Sequence, residues 1–285
     1  MRREPNFIAV ERLPALDALC RSATAAMLSC ALLLTASAAA PASAADNWSR
    51  IRPGLFQNRP IAEDTAEMIE LVTPVRAEDA AVVPIAIRTR LAQSPGLYAK
   101  RLFLIIDNNP APLAAVFKLT PELGRADIET RVRIEEYTHI RVVAEMSDDS
   151  LHMVSRYVKA SGGCSAPAGK DPAAAAAGTG KMKLTLERTP ELNRPLLAQL
   201  MIRHPNTTGM AMDQVTRLYA PPHYVKHIEI AYNGKQIMSA DTDISISENP
   251  NFRFYFLPRQ NGALTVEAVD SNELSYKTTL QVKAD

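Results

Sequence analysis

Between residues 81 and 158 the apolar positions come in short bursts, without the three-to-four spacing of an amphipathic helix. Residues 81–87 and 102–106 are brief runs rich in β-branched side chains, and the second leads into Asp107-Asn108-Asn109-Pro110, a turn sequence. Val132, Ile134, Ile140 and Val142 alternate with Arg131, Arg133, Glu135, His139 and Arg141, the period of half-buried strands. Residues 151–158 supply one more strand. Residues 62–71, with Glu63, Asp64 and Glu67, predict the one helix of this half.

The same style resumes further on. Residues 196–202 are apolar, 225–230 alternate, and Asn233-Gly234 is a dipeptide that tolerates positive φ in a tight hairpin. Phe252, Phe254 and Phe256 alternate with Arg253 and Tyr255, and residues 264–269 form another candidate strand after Asn261-Gly262. Many short strands separated by turn signals, with no sign of βαβ units, predict an all-β protein of two β-sandwiches in tandem.

Between the two halves the chain reads SAPAGKDPAAAAAGTG, without a single large apolar or aromatic side chain. Such a stretch buries too little surface to offset the entropy of ordering it, so a flexible Ala/Gly/Pro linker is expected over 165–181. Pro172 and Gly178 leave the five intervening alanines too short to propagate a helix.

The N-terminus changes the compartment. Arg2, Arg3, Arg12 and Arg21 precede an uncharged Ala/Leu-rich stretch that ends in Ala42-Ser43-Ala44, the small-residue pattern of a cleaved export signal. Residues 1–44 are therefore expected to be a signal peptide and the protein periplasmic, with retention as a membrane anchor the competing reading. Formal charge is nearly balanced, with 32 basic and 31 acidic residues, so no nucleic-acid partner is implied. Cys20 and Cys30 leave with the leader. Apolar residues continue past Cys30 to Leu34, which argues against lipid attachment there.

Cys164 is then the only cysteine, a thiol without an internal disulfide partner. It lies six residues past the strand ending at Val158, far enough for an extended chain to carry the sulfur ~20 Å outward. Gly162 and Gly163 would let such an arm enter a narrow cleft on a partner. The plain alternative is a small buried hydrophobe, but the sequence from Ser161 to Lys181 offers no apolar neighbour to bury it against, so exposure is expected. An unperturbed thiol near pKa about 8.5 is only a few per cent thiolate at neutral pH. Lys159 and Lys170 are the nearby cations in sequence.

Other constellations carry less. His223 and His227 lie ~13 Å apart along a strand, too far to share one metal, so no metal site is expected. His204 reads as a turn or domain-contact residue. Asp148-Asp149 and Glu135-Glu136 read as turn or solvated carboxylates, and Asn206-Thr207-Thr208 is an uninformative glycosylation pattern. No phosphate loop or nucleophile elbow is present, no base stands near Cys164, and no cofactor is implied.

Pro84, the segment Leu104-Ile105-Ile106-Asp107-Asn108-Asn109-Pro110-Ala111-Pro112 and the strand running into Gly162-Gly163-Cys164 resemble SoxY, the subunit that carries sulfur substrates on a cysteine. Ile202-Arg203-His204-Pro205-Asn206-Thr207-Thr208-Gly209, Pro222-His223-Tyr224-Val225 and Ser247-Glu248-Asn249-Pro250 resemble its partner SoxZ. The order matches the fused SoxYZ-like carriers associated with pyrroloquinoline-quinone (PQQ) alcohol dehydrogenases. The resemblance implies two immunoglobulin-like sandwiches, 45–164 and 182–285, paired as a covalent heterodimer, with Cys164 as the substrate-carrying position. It also implies a non-enzymatic carrier that presents its cargo to periplasmic redox enzymes or cytochromes, including a PQQ-dependent dehydrogenase. The alternative is an accessory module of that dehydrogenase system with no covalent cargo. One departure stands out: SoxY ends in two glycines after its cysteine, whereas Ser165-Ala166-Pro167 follow here and the chain continues. The arm is tethered at both ends, by a 16-residue segment with an end-to-end distance of roughly 20–25 Å, and thiosulfate as cargo is left open.

Overall fold

The computed structural model describes residues 47–63, 68–167, 178–212 and 216–283. The leader expected over residues 1–44, with cleavage after Ala44, and linker residues 168–177 lie outside the described residues. The first half contributes β1 (Ala62–Glu63), β2 (Ile69–Val72), β3 (Val83–Thr89), β4 (Ala99–Ile106), β5 (Leu113–Leu119), β6 (Ile128–Val132), β7 (Thr138–Met146) and β8 (Leu151–Val158). The second half contributes β9 (Met182–Leu186), β10 (Leu196–Ile202), β11 (Val225–Tyr232), β12 (Lys235–Thr242), β13 (Asn251–Phe256), β14 (Gly262–Asp270) and β15 (Ser275–Val282). Asn233 and Gly234, at φ 50° and 76°, make the tight turn between β11 and β12 that their sequence predicts.

The fold is all-β, and each half supplies strands to both layers of a sandwich. What the strand pattern alone does not reveal is how closely the halves join. Nine strands run β1-β8-β7-β4-β5-β12-β11-β14-β15 in one sheet, and six run β2-β3-β6-β13-β10-β9 in the other. Both sheets therefore continue across the junction. Antiparallel pairing of β5 with β12 joins Leu119 to Met238 and Ala115 to Thr242. In the facing sheet β6 meets β13, with Ile128 opposite Phe254. The core is continuous as well: Phe117 of the first half stacks edge-on against Phe252 of the second, with ring centroids 6.2 Å apart.

Strand β4 shows why its sequence is an unbroken apolar run. Leu102, Leu104 and Ile106 face the inter-sheet core, while Phe103 and Ile105 face a second cluster on the other side of the sheet. That cluster is covered by helix α1 (Asn47–Phe56), whose Trp48 and Phe56 pack with Phe103, Val143, Leu151 and Met153. Pro53 and Gly54 inside α1 obscure it in the sequence.

The helix expected over 62–71 is corrected. Its described ends are strands β1 and β2, with residues 64–67 undescribed. Ile69 and Leu71 are buried on one face with Glu70 between them, a period of two, and β2 pairs with β3.

Because the halves share both sheets, damage in one should reach the other. Phe254→Ala is expected to cost about 3–5 kcal/mol. The urea transition reported by Trp48 fluorescence, which reads the first half, should move to lower denaturant. A Trp48 signal that ignores the substitution would mean that the halves unfold independently.

Candidate functional site: the docked cysteine loop

The first half's last strand, β8, delivers the chain to a short turn, and that turn folds back onto the protein. Gly162 N–H donates to the Glu135 carbonyl and Gly163 N–H to the Ile134 carbonyl, each at 2.8 Å. Gly162 takes φ 81°, a left-handed conformation that suits glycine. A Cβ on Gly163 would lie 2.1 Å from the Ala80 carbonyl oxygen, so the turn can dock this closely only with glycine there.

Cys164 is consequently fully buried, which corrects the expectation of an exposed thiol on an extended Gly162-Gly163 arm. The reason is tertiary. No apolar neighbour in its own segment covers it, but hydrogen bonds from elsewhere hold the loop down. The Cys164 and Ser165 amides donate to Glu135 Oε2 at 2.9 and 3.0 Å, and the Ser165 hydroxyl donates to Glu135 Oε1. From the second half, the buried Thr208 hydroxyl donates to the Cys164 carbonyl at 2.6 Å. Arg133 Nη1 donates to the Gly163 carbonyl at 3.1 Å. Hydrogen bonds involving a charged group contribute about 1.5–3 kcal/mol each, so the clasp rests chiefly on Glu135 and Arg133.

The docking face is built by the two motif segments that stand out in the sequence. In the turn after β4, the Asn109 amide donates to the Arg133 carbonyl at 2.8 Å and to Ser245 Oγ at 2.9 Å. Its oxygen accepts from Glu135 N–H at 2.9 Å. Arg133 N–H donates to the Ser245 carbonyl at 2.8 Å, and Ser247 Oγ donates to the Ala81 carbonyl at 2.8 Å. The segment carrying Arg133 and Glu135 is thus set by the first half's Asn109 turn and the second half's 245–247 segment. Glu135 reads as a solvated carboxylate and Thr208 as part of a glycosylation pattern in the sequence; their partners lie 29 and 44 residues away, beyond any local signal.

The environment makes the docked thiol unreactive. Burial, with a smaller contribution from the Glu135 carboxylate, pushes the Cys164 thiol up to about 12, against an opposing effect of Arg133. Lys159 is exposed, and Lys170 lies outside the described residues.

A second cluster surrounds Asp270 in the second half. Its carboxylate is fully buried and accepts from Tyr276 Oη at 2.7 Å, pairs with His223 Nε2 at 2.9 Å, and accepts from the Asn272 and Leu274 amides at 2.8 and 3.0 Å. Burial alone would raise its pKa, but these partners outweigh it and hold the carboxyl well below the usual carboxylate range. His204, expected in a turn or domain contact, is fully buried here, with Nε2 3.5 Å from Asp270 Oδ2.

His204, His223 and Asp270 present donor atoms within 4.8 Å of one another, a spacing that would suit a divalent cation. The hydrogen bonding argues otherwise. His204 Nδ1 accepts from the Asn206 amide at 3.1 Å, which puts the ring proton on Nε2, facing Asp270. A metal-bound histidine typically donates its outer N–H to an acceptor, and here the outer nitrogen faces a donor. The cluster is a hydrogen-bonded anchor for the loop that carries Thr208. His227 stands apart from it, bonded through Nδ1 to Asp241 at 2.6 Å.

A two-half β-sandwich with a single clasped thiol at the end of its first half defines the class. Residues 53–164 match the family of the sulfur oxidation protein SoxY, a match that ends on Cys164, and residues 184–281 match that of the sulphur oxidation protein SoxZ. The chain belongs to these families as a fused SoxYZ-like protein, a SoxY domain followed by a SoxZ domain. Among solved structures it is similar to the sulfur carrier protein SoxY from Chlorobium limicola f thiosulfatophilum, at 25% identity over 41% of this chain and 96% of that one, TM-score 0.34. It is also similar to a superoxide reductase (neelaredoxin) from Ignicoccus hospitalis, at 8% identity over 35% of this chain and 93% of that one, TM-score 0.31. Fibronectin(III)-like modules of Clostridium thermocellum CbhA match at 11% identity over 76% of this chain and 94% of theirs, TM-score 0.23. No curated protein matches the chain.

Two outcomes test this geometry. Glu135→Ala and Thr208→Val should each speed labelling of Cys164 by an aromatic disulfide reagent about tenfold at neutral pH, since each loosens the clasp. Unchanged rates would show that the clasp does not govern access. The linkage sign is also defined: the folded thiol titrates well above the ordinary thiol range, so its contribution to stability is full below that range and is lost as pH rises toward about 12.

Asp270 acts in the opposite direction. Its depressed pKa stabilises the fold above the ordinary carboxylate range, and that contribution is lost on acidification. Asp270→Asn should cost about 1–3 kcal/mol at neutral pH and flatten the acid-side decline of the urea midpoint. An acid limb as steep as that of the wild type would refute this assignment.

Proposed function

We propose that this protein is a non-enzymatic periplasmic sulfur carrier, exported by the leader of residues 1–44, that holds a small sulfur compound covalently on Cys164. The observation that carries the reading is the position of Cys164: the only cysteine beyond the leader, the last residue of the SoxY match, and part of a loop held by a few reversible hydrogen bonds. A cysteine meant only to fill a core needs no such clasp. Ser161, Gly162 and Ser165 on either side are exposed, and releasing the bonds to Glu135, Thr208 and Arg133, together with the two glycine amide bonds, lifts the sulfur out.

In this reading the docked loop is the resting state and the lifted loop the working state. Loading joins Cys164 Sγ to the terminal sulfur of a sulfur anion: the thiol loses its proton, a sulfur–sulfur bond forms, and two electrons leave. A haem- or quinone-bearing redox partner takes those electrons, which is why a cytochrome or a PQQ-dependent dehydrogenase system is the class of partner that the reading calls for. Lifting also restores an ordinary thiol pKa near about 8.5 and so supplies the nucleophile that the docked state withholds.

Intact-mass measurement of the protein purified from its native periplasm, before and after a reductant, should find a reducible adduct on Cys164. A Cys164→Ser strain should lose sulfur-compound oxidation. Normal oxidation in that strain, with no adduct on the wild type, would rule the carrier out.

A further inference from the structure

Beside the thiol lies a charge that the clasp does not explain. Arg133 is 1% exposed and ranks among the largest fully buried side chains, yet its guanidinium makes one hydrogen bond, from Nη1 to the Gly163 carbonyl. Its Nε is buried with no hydrogen-bond partner. Among the described residues no carboxylate forms an ion pair with it. The carboxylates of Glu248 and Asp79 act on it only at a distance, and burial lowers its pKa. A guanidinium carries five N–H donors in a planar fork matched to oxyanions, and burying one without a paired anion is costly. The other large buried cation, Arg141, shows the ordinary solution: its Nη2 and Nε pair with Asp107 within 2.9–3.0 Å.

We propose that Arg133 is the anion receptor for the cargo on Cys164, its guanidinium binding the negatively charged oxygen-bearing end of the adduct. This rests on the carrier reading above and deepens it, because it names the residue that recognises the charged end of the cargo. The single donor already in use is spent on Gly163, the residue preceding Cys164. An adduct on the closely packed sulfur obliges the loop to lift, lifting removes the Gly163 carbonyl from Nη1, and Arg133 then has Nη1 as well as Nε without a partner. Loop carbonyl and cargo oxyanion are alternative partners of one guanidinium.

The test is an equilibrium between two adducts of equal length and different charge. The protein is equilibrated with mixed pools of 2-mercaptoethanesulfonate and 2-mercaptoethanol and their disulfides. Each exchange replaces one thiol by the other on the Cys164 disulfide, with no net oxidation, and intact mass reads the ratio. The wild type should favour the sulfonate adduct about tenfold over the hydroxyl adduct relative to a Cys-containing peptide. Arg133→Met should return the ratio to that of the peptide, and Arg133→Lys should keep most of the preference. A wild-type ratio equal to that of the peptide overturns the proposal even if Arg133→Met fails to fold, and so does a preference that survives in Arg133→Met. The ratio is independent of native cargo: absence of any adduct on the periplasmic protein would refute the carrier reading and leave this measurement unaffected.

Discussion

Edge-to-edge strand pairing between the two halves is the constraint on which everything else depends. β5 with β12 and β6 with β13 make two continuous sheets from the two halves, and this fixes the register of residues that no linker could place. Arg133 and Glu135 follow directly from β6, and the 245–247 segment that pins them lies between β12 and β13. Thr208 lies in the loop between β10 and β11, held through Asn206 and His204 near the buried Asp270. The clasp on Cys164 is therefore built from both halves, and it exists because the sheets are shared.

The chemistry of the site follows from a conflict between protection and use. Under the proposed carrier function the thiol has to ionise and meet a partner, and the docked loop opposes both by burying the sulfur and setting a carboxylate beside it. Such a residue is useful only if docking is weak compared with the fold. The contrast in bonding supports that ordering. Strand β8 is tied into its sheet by a full antiparallel ladder with β7, whereas the loop beyond it is held by a carboxylate, a hydroxyl, a guanidinium and a few amides. Local opening at low free energy is what a functional loop on a rigid scaffold requires.

The Asp270 cluster shows how misleading proximity can be. Two histidines and a carboxylate converge closely enough to suggest a metal, yet the direction of one hydrogen bond, from the Asn206 amide to His204 Nδ1, gives the ring a donor's role toward Asp270. The cluster's place in the fold is to hold the HPNTTG loop so that Thr208 reaches the Cys164 carbonyl.

Much of this protein was legible in its residues alone. Period-two alternation in 225–230 and 252–256, the unbroken run at 102–106 and the Asn233-Gly234 turn specify strands through local sterics and burial, and the ordered SoxY and SoxZ motifs specify the family. The chain also identified Cys164 as its one thiol after residue 44. Local pattern failed where distant residues compete with it: β2 forms inside a stretch that reads as helix because Leu71 and Ile69 find a core, and α1 forms despite Pro53 because Trp48 and Phe56 find an apolar face of the sheet. Exposure of Cys164 was likewise inferred from neighbours in sequence, and burial is a property of neighbours in space. Only the tertiary structure brought Glu135, Thr208 and Arg133 to the loop, since a hydrogen bond between residues 29 to 44 positions apart leaves no periodic trace in the chain.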